Sequence, residues 1–261
     1  MFSIYNLPTM FIFFMFIIII PSFALFCFYL YDKSGIKIKS CSENHNGLIS
    51  IYISISTLFL AVMVSFLVIT VWNNYSSVSL NSQKEAQTIF LLYQNIFSLP
   101  NTTKIQQIIK KYLYYIINTE YPELKNNNVN QFGAEILGNL QYEIYNYSPN
   151  GNREDSIYSN CISLLNDIVN LRTERIHNGS LNYIIWVVAI FDSVLIVIMT
   201  WFLHCKQFIH YVLIAFISFF IAASLFLIFV LSYPFRGQNG LTSQPFQQAL
   251  LAVEKYKNTI K

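Results

Sequence analysis

Between Gly47 and Pro100 the chain runs without a glycine or a proline, and its polarity changes halfway along. The first part, about 48–72, is apolar with scattered serines and threonines. At 1.5 Å per residue, about 20 such residues cross a hydrocarbon core roughly 30 Å thick. The second part keeps a helical rhythm among polar residues. Trp72, Tyr75, Ser79, Ala86, Phe90, Tyr93 and Phe97 recur at steps of three, four or seven, so they share one face. Together the two parts predict one nearly continuous helix of about 50 residues, roughly 75 Å long, of which less than half fits in a membrane. The alternative is a break near Asn73-Asn74 that leaves two helices.

Further apolar segments at about 9–30, 181–203 and 208–232 also have the length of membrane spans. The last two are separated by a few residues around His204–Gln207, which predicts an antiparallel hairpin. Pro21 can kink the first, a disruption that membrane helices tolerate. Asn46-Gly47 predicts a turn ahead of the long helix.

From 73 to 179 the pattern is amphipathic. Asn101-Thr102-Thr103 can cap a helix that carries Ile105, Ile108, Ile109, Tyr112, Leu113 and Ile116 on one face. Glu120-Tyr121-Pro122 and the Asn-rich KNNNVNQ follow, then a helix over 132–146 and the turn SPNGN. Ile157, Cys161, Leu164, Leu165, Ile168 and Leu171 mark the next helix, closed by His177-Asn178-Gly179 in the manner of a glycine cap. Beyond the second hairpin helix, Ser243 and Pro245 open a short amphipathic helix bearing Phe246, Leu250, Val253 and Ile260. The expected fold is an all-α integral membrane protein with four transmembrane helices. Spans one and two lie in 1–72, a helical extramembrane domain in 73–179, a transmembrane hairpin in 180–233 and an amphipathic helix in 234–261.

Composition agrees with this class. The chain is 54% hydrophobic and 11% charged, against about 25% charged in soluble domains. Its formal charge of +3 is too small to suggest nucleic acid. Residues 1–10 contain no Lys or Arg, so the first span lacks the basic flank of a cleavable signal. The cysteines, Cys27, Cys41, Cys161 and Cys205, form no CxxC and signal neither a disulfide framework nor zinc. His204, Cys205 and His210 gather near the hairpin turn without a carboxylate, which reads as interfacial polarity rather than a metal site. No nucleophile with a paired base and no phosphate-cradling glycine loop is present, so neither an enzyme nor a cofactor is expected. Loop charge does not orient the chain. Lys33, Lys37, Lys39 and Lys206 on one side balance Lys84, Arg172, Arg175 and Arg236 on the other.

Candidate chemistry lies in a few places. Ser50, Ser54, Thr57, Ala61 and Ser65 follow one another at steps of three or four and form a hydroxyl and small-residue stripe on span two. The stripe can line a pore, with Val68 and Trp72 as an apolar constriction below it. It can equally serve close helix packing. Asp192 stands near the middle of span three, where a charge costs about 2.5–3.5 kcal/mol on insertion scales. It reads as an ion or proton site, or as a protonated acid bonded to a neighbouring helix, with Ser218 a candidate partner. Arg172 and Arg175 can face an anion or lipid phosphate, or pair with Glu85, Glu174 or Glu120 and staple the helical layer. Pro234, Phe235, Arg236 and Gly237 stop span four, with Arg236 able to meet lipid headgroups.

Several of these landmarks occur in an order that resembles a known family. They are His45-Asn46, Trp72 and Tyr75, Glu85-Ala86 with Leu92-Tyr93, Tyr112, Glu120-Tyr121-Pro122 as a variant of a Glu-Trp-Pro motif, and Arg172 with Arg175. His210 then opens the last span, and Tyr-Pro-Phe-Arg-Gly at 233–237 precedes the helix with Phe246. Over most of 45–250 the chain resembles the bestrophin-like membrane proteins (DUF4239), a bacterial group of largely unknown function. The resemblance implies a multi-pass protein of a bacterial plasma (inner) membrane, with four spans and the helical domain on the cytoplasmic side. In layout it is similar to bestrophins proper, which are pentameric anion channels with the second span lining the pore. A small residue, often Gly, is expected at the position of Asp192, so this chain departs there. The function implied is a homo-oligomeric ion channel or channel-like pore, a pentamer by analogy, in contact with membrane lipid and a small inorganic ion. The alternative is a non-conducting scaffold or sensor whose helical domain binds a partner.

Overall fold

The computed structural model describes residues 7–34, 45–126, 128–177, 183–202, 207–237 and 240–259. The described residues form helices and connecting turns, with no strand among them. In order these are α1 (Thr9–Lys33), α2 (His45–Phe97), α3 (Thr103–Tyr115), a π-helical turn (Ile116–Glu120), α4 (Tyr121–Lys125), α5 (Phe132–Tyr145), α6 (Asn152–His177), α7 (Tyr183–Trp201), α8 (Gln207–Leu231) and α9 (Gln244–Thr259).

Helix α2 is 53 residues long and passes through Asn73-Asn74 without a break. No residue there removes a backbone donor or relaxes the helical dihedrals, and amphipathic spacing continues on both sides. The turn expected at Asn46-Gly47 is not formed, because α2 already begins at His45. One glycine in a helix costs about 1 kcal/mol, which a helix of this length absorbs. The side chains of His45 and Asn46 lie outside the described residues, as do Lys37, Lys39, Cys41, the cap at Asn178-Gly179, His204, Cys205, Lys206 and Ile260.

Among the described residues α1, α2 and α8 are long and apolar enough to cross a membrane, and α7 holds a shorter apolar stretch, Trp186–Trp201. The chain divides into two compact units, residues 1–73 with 181–233 and residues 74–180 with 234–261. In the first, Leu67 and Val71 of α2, Ala189 of α7, and Ile221, Leu225 and Ile228 of α8 form a buried cluster against which Phe16 and Ile20 of α1 pack. A smaller cluster joins Ala24 and Phe28 of α1 to Ile214 of α8. His210 is buried on α8, its Nε2 2.7 Å from the carbonyl of Thr200, which sets the register of α8 against α7.

The second unit is the extramembrane layer. Its core gathers Ile89, Leu92 and Ile96 of α2, Ile109 and Leu113 of α3, Leu137, Leu140 and Ile144 of α5, Leu165 and Ile168 of α6, and Phe246 and Val253 of α9. Burying each such side chain contributes about 1.5–3 kcal/mol in water. That driving force is absent between helices in lipid. The helix start at Thr102 differs from expectation. Its hydroxyl does not cap α3 but donates 2.6 Å back to the carbonyl of Ile96, satisfying the end of α2 instead.

Candidate functional site

Two groups of residues in this fold carry chemistry beyond packing. The first is the face of α2 in the membrane unit. Ser50, Ser54, Thr57, Ala61 and Ser65 are all exposed in the single chain, Val68 is half-buried, and Trp72 is 57% exposed. No residue of the most apolar 18-residue stretch of α2 is buried, whereas a third of the corresponding stretch of α8 is. The hydroxyls of Ser50, Ser54 and Ser65 each donate to a carbonyl of their own helix, at 2.8, 2.7 and 2.7 Å. They spend their one hydrogen on the backbone and present oxygen lone pairs outward.

The second group is buried in the extramembrane unit and is built from six segments: α2, α3, the π-helical turn, α4, α6 and α9. The i, i+3 spacing of Arg172 and Arg175 puts both guanidiniums on one face of α6. Arg175 Nε donates to Glu85 Oε2 of α2 at 2.7 Å, and its Nη2 donates to Glu85 Oε1 at 3.2 Å and to Glu120 Oε1 at 2.5 Å. Arg172 Nη2 donates to the other oxygen of Glu120 at 2.7 Å. Tyr112 of α3 donates its hydroxyl to Glu85 Oε1 at 2.9 Å. Arg175 and Glu85 are both fully enclosed, and the Arg175 guanidinium lies 5.5 Å from the ring centre of Tyr121 and 5.3 Å from that of Phe246. Two guanidiniums thus face two carboxylates in bonded geometry, which is what allows charge to persist out of water. Glu174, an alternative partner by sequence, instead accepts from Asn81 Nδ2 at 3.0 Å.

The π-helical turn delivers Glu120 to this cluster. Pro122 follows it and cannot donate to Asn118, four residues earlier, so the backbone widens by one residue there. Gly133 of α5 makes room. A Cβ on it would stand 2.6 Å from both Arg172 Nη2 and Glu120 Oε2 and 2.8 Å from Tyr115 Cε1. Sequence reasoning missed Gly133, whose only signal is a glycine near the start of an amphipathic helix.

Burial pushes the Glu85 carboxyl above its ordinary 4.5, and Arg175 only partly pulls it back. Burial acts on Glu120 in the same sense, but Arg175 and Arg172 together outweigh it and hold this carboxyl below 4.5. Arg175 between the two is held well above its ordinary value, burial being overcome by both carboxylates. For Glu120 the sign is that of a depressed acid: its stabilisation is complete above its unfolded value and disappears as pH falls through the folded one. Glu120→Gln is therefore expected to flatten the decline in melting temperature below about pH 4.5. A thermal-shift series in detergent across that range checks this, and an unchanged acid limb would count against the assignment.

The remaining sequence landmarks fall near these groups or beside the spans. Phe235 packs edge-on to Tyr121, ring centres 5.6 Å apart, and Tyr121 lies 5.7 Å from Phe246. The backbone N–H of Leu241 donates to the carbonyl of Pro234 at 2.7 Å, and Gly237 takes φ of +78°, a left-handed conformation that side chains disfavour. Arg236 is half-buried. Asp192 sits on α7 with its Oδ2 buried and without a hydrogen-bond partner, so the bond to Ser218 allowed by the sequence is not made. Among the described residues no three His, Cys, Asp or Glu side chains gather as a metal site would require.

A family model described as a bestrophin-like domain matches residues 18–246. The solved structure of a single-residue variant of a bacterial bestrophin homologue from Klebsiella pneumoniae superposes with TM-score 0.57 at 14% identity, covering 95% of this chain and 98% of that one. A second variant of the homologue from the same organism gives TM-score 0.55 at 13% identity, over 94% of this chain and 99% of that one. A further structure, described as a membrane protein variant, gives 0.53 at 14% identity, over 95% and 97%. At such identities the likeness is one of fold. No curated protein matches the chain.

Proposed function

The chain belongs to the bestrophin-like family, and from that premise we propose that it is a homo-oligomeric, channel-like membrane protein in which α2 lines the path. The observation that carries this is the bareness of α2. Its most apolar stretch has no buried residue within the single chain, although the helix shares a membrane unit with three others. Copies arranged about an axis would cover one side of it and leave Ser50, Ser54, Thr57, Ala61 and Ser65 along the axis, with Val68 and Trp72 narrowing it. In this reading α7 is a membrane span beside α1, α2 and α8, its 19 residues covering about 28 Å. The membrane is the plasma (inner) membrane of a bacterium, and the passing species is a small inorganic ion.

A second reading is a non-conducting scaffold or sensor. What favours it is an open groove of about 450 Å³ between α2 and α9, where Gln83, Gln87, Gln244 and Gln248 stand among Ala86, Phe90, Pro245, Ala249 and Ala252, which suits a partner segment of mixed polarity. Oligomeric state separates the two. Electron-microscopic averages of the detergent-solubilised protein are expected to show a closed ring, a pentamer by analogy with bestrophins proper, with α2 innermost. A monomer or dimer without an axial path would favour the scaffold.

A further inference from the structure

The third and fourth apolar segments hold two polar groups that a path along α2 does not use. Asp192 is the only Asp, Glu, Lys or Arg within 9–31, 48–72, 183–202 and 207–233. It lies midway along α7, about 13 Å of helix from either end. Its Oδ2 is buried and makes no hydrogen bond. Ser218 of α8 is 0% exposed, and its hydroxyl also makes none. The latter is unusual here. Every other serine and threonine on these two helices, Ser193, Thr200 and Ser224, returns its hydroxyl to a carbonyl of its own helix.

The two groups occupy one depth. The contact between His210 and the Thr200 carbonyl fixes the register of α7 against α8. Asp192 and Ser218 each lie eight residues further from the hairpin end, about 12 Å deeper. The surroundings are apolar: Ala189 and Ile196 on α7, and Ile214 and Ile221 on α8, are all buried. An unpartnered carboxylate in such a place is strongly disfavoured and must be neutralised. No cationic side chain within these segments is available to do so.

We infer that Asp192 and Ser218 form an intramembrane site for a small monovalent cation, a proton exchangeable with sodium. The carboxylate supplies the charge and Ser218 Oγ a second hard oxygen ligand. Loading cancels the charge, and the serine hydroxyl is left free of its own backbone to turn a lone pair toward the cation. The site is independent of the path along α2 and stands whether or not the protein conducts.

A hydrophobic carbodiimide tests it, because the reagent adds only to protonated carboxyls and its adduct is located by mass spectrometry. The full-length protein in detergent is expected to label at Asp192. Labelling should fall as pH rises, because the reagent needs the carboxyl's own proton. At fixed pH sodium chloride is expected to protect, and choline chloride at equal ionic strength is not. Protection by both pH and sodium supports the exchangeable site, and protection by pH alone overturns it. Ser218→Ala should raise the sodium concentration for half-protection, or shift the half-labelling pH, by about tenfold or one unit. Asp192→Asn removes the adduct and serves as the control. No adduct at Asp192, labelling indifferent to both pH and sodium, or half-points unmoved by Ser218→Ala would each overturn the site.

Discussion

Replacing Arg175 with methionine is expected to destabilise the extramembrane layer by about 3–5 kcal/mol, the cost of leaving a buried ion pair half-made. The guanidinium serves two enclosed carboxylates at once, Glu85 and Glu120. Without it Glu85 keeps only the Tyr112 hydroxyl, and Glu120 keeps only Arg172. Arg175→Lys should recover little. An ammonium is a point charge that cannot bond both carboxylates in the forked geometry, and it loses the planar contact with Tyr121 and Phe246. Glu85→Gln should cost less, because Arg175 retains Glu120. Chemical unfolding in detergent ranks the three, and Glu85→Gln as costly as Arg175→Met would show that the arginine does not bridge. A Glu85→Gln protein as stable as the wild type would remove the idea that these pairs staple the layer.

The second large effect is expected at Gly133. On propensity alone Gly→Ala in a helix gains about 1 kcal/mol. At Gly133 the added methyl would stand 2.6 Å from the bonded pair Arg172 Nη2 and Glu120 Oε2 and against the ring of Tyr115. Overpacking of this kind costs about 1–3 kcal/mol, and here it also parts a salt bridge, so the net sign is destabilising. Gly138 on the same helix has nothing within 4 Å of a built Cβ, so Gly138→Ala should stabilise by a few tenths to about 1 kcal/mol. Melting temperatures of the two variants should move in opposite directions. If both rise, Gly133 is not a close-approach position.

These two sites mark what the sequence can and cannot convey. Helical spacing along α2 and the i, i+3 pair Arg172 and Arg175 follow from period alone, so they were readable. Which of Glu85, Glu120 and Glu174 would meet those arginines was not, because pairing depends on how α2, the π-helical turn and α6 pack in three dimensions. The π-helical turn was hidden for a related reason. Pro122 announces a backbone disturbance, but a loop and a widened helical turn satisfy it equally well. Gly133 is silent because a close approach leaves no local pattern. The turn expected at Asn46-Gly47 failed in the opposite sense: strong turn chemistry gave way to the helix that follows. Asp192 drew attention as a lone charge in an apolar run. The unsatisfied state of Ser218 needed the packed hairpin to become visible.

Flux through liposomes addresses the conduction reading most directly. Purified protein reconstituted with a chloride-loaded interior should release ions above the level of protein-free vesicles. Ser54→Leu and Ser65→Leu, which place an apolar side chain on the exposed stripe of α2, should each lower that flux by about tenfold or more through dewetting. Wild-type flux equal to empty vesicles, or undiminished flux in both variants, would contradict a path along α2.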